Sequence, residues 1–134
     1  IWKEKKTYPQ LLLEALKEYS FYLDRFPSMV VGDFNCYVGQ SGVRKSTGTF
    51  EDCIAEMECH GLRSLYHEQT NEKFGEEKTP TFFWQFNQEK PFFLDYAFCT
   101  MKPISFKIGD WEREISDHRP LIIELEEEPW DDRP

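Results

Sequence analysis

The second half of the chain alternates short aromatic and β-branched runs with polar turns, and this pattern limits the possible folds more than any other feature. The runs occupy residues 81–84, 92–98, 104–108 and 121–125, and Asn87–Lys90 turns the chain between the first two. Runs of this length and composition are typical of strands. The pattern predicts consecutive strands joined by short connections.

The first half predicts helices around a short strand. One helix begins at Thr7, which fits a capping box with Gln10, and ends at Pro27. Apolar residues recur along it at helical spacing: Leu12, Leu16, Tyr19 and Leu23. Ser28–Val31 then predicts a buried strand that ends at Gly32.

A loop and a second helix follow. Residues 36–48 are rich in glycine, serine and basic side chains, which predicts a loop. Thr49 with Asp52 predicts the start of a helix that runs through Cys59. Leu62–Tyr66 predicts a further strand.

The order of these elements predicts a single α+β domain with a mainly antiparallel mixed sheet and flanking helices. The domain spans residues 1–134, and no linker or repeat divides it. Residues 126–134 are strongly acidic and are expected to form a solvated tail.

Composition excludes some classes of protein. The net charge of -9 disfavours a protein that holds nucleic acid mainly by neutralising phosphates, because that mode needs a cationic surface. Carboxylates instead suit a divalent cation, which then supplies local positive charge. The apolar runs are too short for a membrane span. The four cysteines show neither zinc nor CxxC spacing, which favours free thiols in a reducing, cytoplasmic compartment over disulfides.

Chemistry is concentrated first in the segment Gly32-Asp33-Phe34-Asn35, directly after the first strand. If the extended backbone continues, the side chains of Asp33 and Asn35 share one face. A carboxylate there can orient and deprotonate water, and an amide can donate to a phosphate oxygen without adding negative charge. The alternative is an Asx turn that closes the strand.

Two further segments combine acids with apolar strands. Asp95 lies within the aromatic run 92–98, and an unpaired buried carboxylate is costly, so it needs a partner. Asp117 and His118 immediately precede the last apolar run. Each segment also has a simpler explanation, a strand end that reaches water for Asp95 and an ordinary turn for the Asp-His pair. Three such segments in this order favour one shared site.

Gly32–Asn35, Leu94–Tyr96 and Ser116–His118 resemble, in this order, the last three signature motifs of the endonuclease/exonuclease/phosphatase superfamily. Pro80–Trp84 resembles the strand that pairs with the Leu94–Tyr96 strand in that family. The resemblance extends from the first helix to Leu125. It implies metal-dependent hydrolysis of a phosphodiester or phosphomonoester with Mg2+ or Mn2+, and a phosphate-ester substrate that includes nucleic acid among the candidates.

The resemblance also implies a role for each motif residue. Asp33 resembles the residue that activates the attacking water, and Asn35 the amide that binds the scissile phosphate. Asp95 resembles the acid that orients the catalytic histidine, and His118 is similar to that histidine, which stabilises the transition state. Asp117 resembles the acid at the metal, and Asp33 is the second metal ligand expected here.

The chain departs from the family by lacking its earlier segments. The strand with an asparagine, the strand with the main metal-binding glutamate, and a phosphate-binding His or Tyr have no counterpart. We therefore expect the C-terminal half to two-thirds of a four-layer α/β/β/α sandwich that binds Mg2+ poorly and is inactive alone. An uncovered sheet face is expected to cause self-association. The candidate residues on that face are Val31, Phe82, Trp84 and Phe93.

The main alternative is a non-catalytic interaction module that keeps the fold and binds a partner protein. Such a module is expected to lose the polar motif side chains. All of them are present here, which favours the hydrolase.

Overall fold

The computed structural model describes residues 5–43 and 45–127 and has an α+β fold. Most of the acidic segment predicted at 126–134 therefore lies outside the described residues. No helix in the described part of the chain is long and apolar enough to cross a membrane.

The predicted first helix is two helices, α1 (Tyr8–Glu18) and α2 (Ser20–Arg25). The predicted Thr7 cap is confirmed, because its hydroxyl accepts the Gln10 N–H at 3.4 Å. The second half of that capping box is not formed, since the Gln10 amide donates to Glu14 instead. Tyr19 separates the helices at φ -92° and ψ 8°, although its N–H still bonds to Ala15. The break is therefore a local distortion within an otherwise continuous run of helical hydrogen bonds.

The second helix, α3 (Phe50–Cys59), forms as predicted. Thr49 and Asp52 make both bonds of a capping box, at 2.8 and 3.2 Å, which satisfies backbone donors at the helix start. Gly61 follows the helix with φ +76°, a conformation that glycine adopts without strain.

The strand predicted at Leu62–Tyr66 is wrong. Only Arg63–Ser64 is extended (β2), and the chain then forms helix α4 (Leu65–Thr70). The Ser64 hydroxyl lies 2.6 Å from Nδ1 of His67, three residues later. This local bond favours a helical turn. The neighbouring residues Leu65 and Tyr66 are both buried, which does not fit the alternation of buried and exposed side chains expected of a strand.

The strands of the second half are shorter than predicted. They are β3 (Phe82–Phe83), β4 (Pro91–Phe92), β5 (Asp95–Cys99), β6 (Ser105–Ile108) and β7 (Leu121–Glu124). The run predicted as one strand at 92–98 divides because β4 pairs with β3, whereas β5 pairs with the first strand, β1 (Met29–Asp33). The chain thus passes from one sheet to another at residues 93–94.

Within residues 5–43 and 45–127, three small sheets form, and every strand pair in them is antiparallel. The largest has the order β1-β5-β2. Its register opposes Met29 to Cys99 at one end and Asp33 to Asp95 at the other. The four-layer sandwich remains a prediction.

Two expectations about burial are wrong. The strand β1 is not buried on both faces, because the alternate side chains of Met29 and Val31 are exposed on one of them. Phe82 and Phe93, predicted on an uncovered face, are buried against neighbouring rings. Val31 and Trp84, predicted on the same face, are exposed as expected.

Candidate active site

Two carboxylates meet at one end of the central sheet. Asp33 is the last residue of β1 and Asp95 is the first of β5, and the two are direct cross-strand partners. Like charges directly opposite each other in a sheet are destabilising. A third group must therefore compensate the pair if both are ionised.

His118 supplies that group. Its Nδ1 lies 2.8 Å from Oδ2 of Asp95, and its Nε2 lies 3.6 Å from Oδ2 of Asp33. The Asp117 carboxylate is slightly further from Nε2, at 3.9 Å. The side chains of Asp33 and His118 are 40% and 27% exposed, whereas that of Asp95 is 11% exposed. Solvent or a ligand can thus reach the Nε2 side of the ring, while the Nδ1 side is enclosed.

The backbone around His118 is fixed by strand β3. An isolated β-bridge joins Phe82 to His118, and the Phe83 N–H donates to the Asp117 carbonyl at 2.9 Å. The Phe82 ring centroid lies 4.6 Å from that of the imidazole. The His118 N–H also donates to the Ser116 hydroxyl at 3.0 Å. These contacts hold the imidazole over the end of the β1–β5 pair.

Thr81 is a site residue that sequence reasoning missed. Its buried hydroxyl accepts the backbone N–H groups of Leu94 and Asp95, at 3.0 and 3.1 Å. Its carbonyl accepts the Arg119 N–H at 2.7 Å. Thr81 therefore connects the segment that carries Asp95 to the segment that carries His118.

Burial dominates the ionisation of Asp95. Removal from water raises the pKa of its carboxyl group, and hydrogen bonds from His118 and Thr81 lower it, with a net increase above the ordinary value. The nearby Asp33 charge adds to the increase. The ionised form of Asp95 therefore depends on its contact with the imidazole.

Asn35 does not share an extended face with Asp33, contrary to expectation. Its φ is +53°, and its N–H donates to Oδ1 of Asp33 at 2.9 Å, which is the Asx turn held open as the alternative. The turn fixes one oxygen of the Asp33 carboxylate. Asn35 is thus tied to the site through its backbone, and the opposite-facing Phe34 stacks on Tyr96 with centroids 5.5 Å apart.

The site offers ligand atoms for a metal cation, but only a few. Asp33, Asp95 and His118 each offer one atom within 4.8 Å of the others. Asp95 and His118 already share a hydrogen bond through Nδ1 of the ring. Asp33 and the nearby Asp117 are therefore the carboxylates with fewer competing contacts. Mg2+ commonly binds through one or two carboxylates and completes its shell with water and substrate oxygens. The donor set fits such a weakly held hard cation.

A cleft beside the site includes His118 in its lining. The lining residues are Asp110, Glu112, Ile115, Ser116, His118, Arg119 and Pro120. Arg119 donates from Nε to the Gly109 carbonyl at 2.7 Å, which anchors its guanidinium beside the cleft. Arginine is well suited to phosphate oxygens. The residue follows the Ser-Asp-His segment directly, but its type alone gave no reason to select it from the sequence.

A second histidine cluster is enclosed in the core. His67 lies between the Ser64 hydroxyl and Oε1 of Glu77, which is 3.1 Å from Nε2. Ser64 and His67 are both buried. Glu77 also accepts the Gly75 N–H at 3.0 Å, so the cluster fixes the connection that follows α4. Its enclosure makes it a structural element.

No protein-family profile, no curated protein and no solved structure matches this chain.

Proposed function

We propose that this chain carries part of the active site of a metal-dependent phosphoester hydrolase of the endonuclease/exonuclease/phosphatase type. The observation that supports this most is the placement of His118. Its Nδ1 is held by the buried Asp95, and its Nε2 is directed towards Asp33 and Asp117 on the accessible side. An acid that orients one ring nitrogen leaves the other to donate to a reacting group.

The separation of Nε2 from Asp33, 3.6 Å, is longer than a direct hydrogen bond. An oxygen atom of water or phosphate can bridge two polar groups so spaced. Asp33 orients the attacking water and accepts its proton as the water oxygen bonds to phosphorus. The bond from phosphorus to the ester oxygen breaks, and the leaving oxygen takes a proton from solvent. The Asx turn at Asn35 keeps the Asp33 carboxylate in one orientation. His118 donates from Nε2 to a non-bridging phosphate oxygen.

Asp33 and Asp117 would hold Mg2+ or Mn2+, and the bound cation would supply positive charge against the phosphate. The surplus of carboxylates around one imidazole supports this, because three acids and one histidine bind an anionic ester poorly without a cation. Few oxygen ligands are present, so we propose that the chain alone binds the metal weakly and is inactive. A glutamate-bearing strand upstream would complete the site. We further propose a cytoplasmic location.

An exposed face of β1 favours a second candidate, an interaction module that retains the fold. Met29 and Val31 are exposed on this face and line a groove together with the exposed Tyr22. A partner protein could cover such a surface. The hydrolase requires the site residues for its activity, whereas the interaction module has no activity that depends on them.

The deciding experiment uses His118→Ala, with His60→Gln as a matched histidine variant outside the site. Hydrolysis of a panel of phosphodiesters and phosphomonoesters is measured with Mg2+ and with EDTA, on this chain and on a form extended by its upstream sequence. Loss of one transition-state donor costs about 100-fold or more in kcat. We expect that loss for His118→Ala and none for His60→Gln. Equal turnover by the two variants in the extended form would exclude the hydrolase, whereas this chain alone is expected to be inactive with either variant.

A further inference from the structure

A cavity of about 440 Å³ lies where β5 leaves the central sheet, between α4 and the connection to β6. Its volume is within the roughly 300–1,000 Å³ typical of small-molecule sites. Cys99 in its wall is four residues from Asp95, roughly 13 Å along the strand. The cavity shares no lining residue with the cleft beside His118. It is therefore separate from the proposed active site.

The inner part of the cavity is apolar. Leu65 and Cys99 line it and are only 7% and 3% exposed, and the half-buried Met101 and Pro103 add further apolar surface. The Met101 N–H donates to Sγ of Cys99 at 3.3 Å, which closes the bend after β5. Removing such apolar surface from water is favourable, so an apolar group of a ligand gains free energy here.

Exposed polar side chains surround the opening of the cavity, and they are Arg63, Glu68, Gln69 and Lys102. Arg63 is the direct partner of Cys99 in the β2–β5 ladder, which places the two side chains on one face of the sheet. Glu68 and Gln69 follow Leu65 by three and four residues, so they share its face of α4. Strand register and helical spacing thus direct polar groups to the edge of an apolar cavity.

The charged groups at the opening leave a single positive charge. Arg63 and Lys102 are cationic and Glu68 is anionic, although the chain as a whole has a net charge of -9. Nη1 of Arg63 lies 3.6 Å from Oε1 of Glu68, and the two side chains are 71% and 58% exposed. An ion pair so exposed contributes little, so the guanidinium remains available to a ligand. The cavity is thus opposite in charge to the rest of the protein.

The apolar interior and the positive opening together favour an amphipathic monoanion. A carboxylate accepts two parallel hydrogen bonds from a guanidinium, and the amide of Gln69 is a neutral donor in the same opening. A phosphate monoester with two negative charges would exceed the single positive charge and would be repelled by Glu68. A neutral apolar molecule would leave both cations without an anionic partner.

We propose that this cavity binds a small monocarboxylate with a compact apolar body. The apolar body lies against Leu65 and Cys99, and the carboxylate lies between Arg63 and Lys102. The site is a second one, with a ligand of different chemistry from the phosphoester proposed at His118. Binding here does not depend on hydrolysis there.

The test is isothermal titration calorimetry of this chain with phenylbutyrate. Phenylbutanol carries the same apolar body without the charge, and butyrate carries the charge on a much smaller body. The variants are Arg63→Gln, Lys102→Gln and the two combined. Lys107→Gln is the matched control, because Lys107 is an exposed cation on β6 outside the cavity. Thermal unfolding checks that each variant folds.

We expect the wild-type chain to bind phenylbutyrate more tightly than either comparison compound. Arg63→Gln and Lys102→Gln should each weaken phenylbutyrate binding about 2- to 5-fold, as is typical of exposed charge pairs, and the combined variant should weaken it further. Phenylbutanol binding should be the same in all of these variants. Lys107→Gln should match the wild type, and added salt should weaken binding of phenylbutyrate.

Three results would each overturn the inference: no heat of binding with phenylbutyrate, equal affinity for phenylbutyrate and phenylbutanol, or equal effects of Lys107→Gln and Arg63→Gln. The variant His118→Ala adds a check on location. It should bind phenylbutyrate as the wild type does, because the cavity is separate from the histidine. Loss of binding in His118→Ala with retention in Arg63→Gln would place the ligand at the active site instead.

Discussion

Asp33 and Asp95 face each other across the last pair of the β1–β5 ladder, and one imidazole lies within 3.6 Å of the first and 2.8 Å of the second. Antiparallel register alone thus brings together two acids from opposite halves of the sequence. The histidine arrives from a third segment, fixed by the bridge to Phe82. The site is assembled by sheet pairing, and its stability should depend on the ionisation of its buried member.

Replacing Asp95 by asparagine should stabilise the fold at neutral pH. Burial raises the pKa of Asp95 above 3.8, so the folded state binds the proton more tightly than the unfolded state, and ionisation above that pH reduces stability. The amide side chain of the variant carries no charge to bury. Urea unfolding should show a higher midpoint for Asp95→Asn at pH 7, and the advantage should vanish below pH 3.8. A lower midpoint at neutral pH would show that the charged bond to His118 outweighs burial.

Removing the Thr81 hydroxyl should destabilise the protein strongly. The variant Thr81→Val leaves the N–H groups of Leu94 and Asp95 buried without their acceptor, and each unsatisfied donor costs about 1–3 kcal/mol. Thr81→Ser keeps the oxygen and should lose much less. Free energies of unfolding from urea titration compare the two variants. Equal losses would assign the effect to the methyl group.

Stability should also depend on pH through His60. His60 donates a hydrogen bond from its ring to the Asp24 carboxylate, and this bond, assisted by Glu56, raises the pKa of His60 above 6.5 and joins α2 to the end of α3. This contribution is fully present below 6.5 and is lost as the pH rises through the folded-state value. Asp24 is 54% exposed, so the contribution should be less than about 1 kcal/mol. His60→Gln should remove this pH dependence of the unfolding midpoint, and Asp24→Asn should reduce it. An unchanged profile in both variants would contradict the assignment.

The open edge of β1 should promote self-association. Met29 and Val31 are exposed on a strand that has β5 on one side only among the described residues. A lysine on an edge strand blocks pairing between copies. Val31→Lys should therefore lower the weight-average mass in sedimentation velocity, while Ile115→Lys, at a position that is 77% exposed and outside any strand, should not. A wild-type chain that remains monomeric at high concentration would contradict this prediction.

Local signals in the sequence were sufficient for part of this fold. The Thr49–Asp52 capping box forms as predicted because both partners lie within one helical turn. The strand predicted at Leu62–Tyr66 failed because its apolar residues also suit a buried helix, and the bond that favours the helix, Ser64 to His67, gives no signal in hydrophobic periodicity.

The candidate site shows the same division. Asp95 could be selected because a carboxylate within an apolar strand is costly without a partner, and Asp33, Asp117 and His118 because they lie directly beside apolar strands. The turn at Asn35 was one of two alternatives, and only the fold decides between them. Thr81 could not be found in this way, since its importance comes from donors 13 and 14 residues further along the chain.

The pairing of Met29 with Cys99 has a consequence for synthesis on the ribosome. The strand β1 leaves the exit tunnel long before β5 is translated, and closing so long a loop is entropically unfavourable. Throughout that interval β1 lacks the partner that later covers one of its edges. A nascent chain at this stage is a natural client for chaperones that bind extended apolar segments.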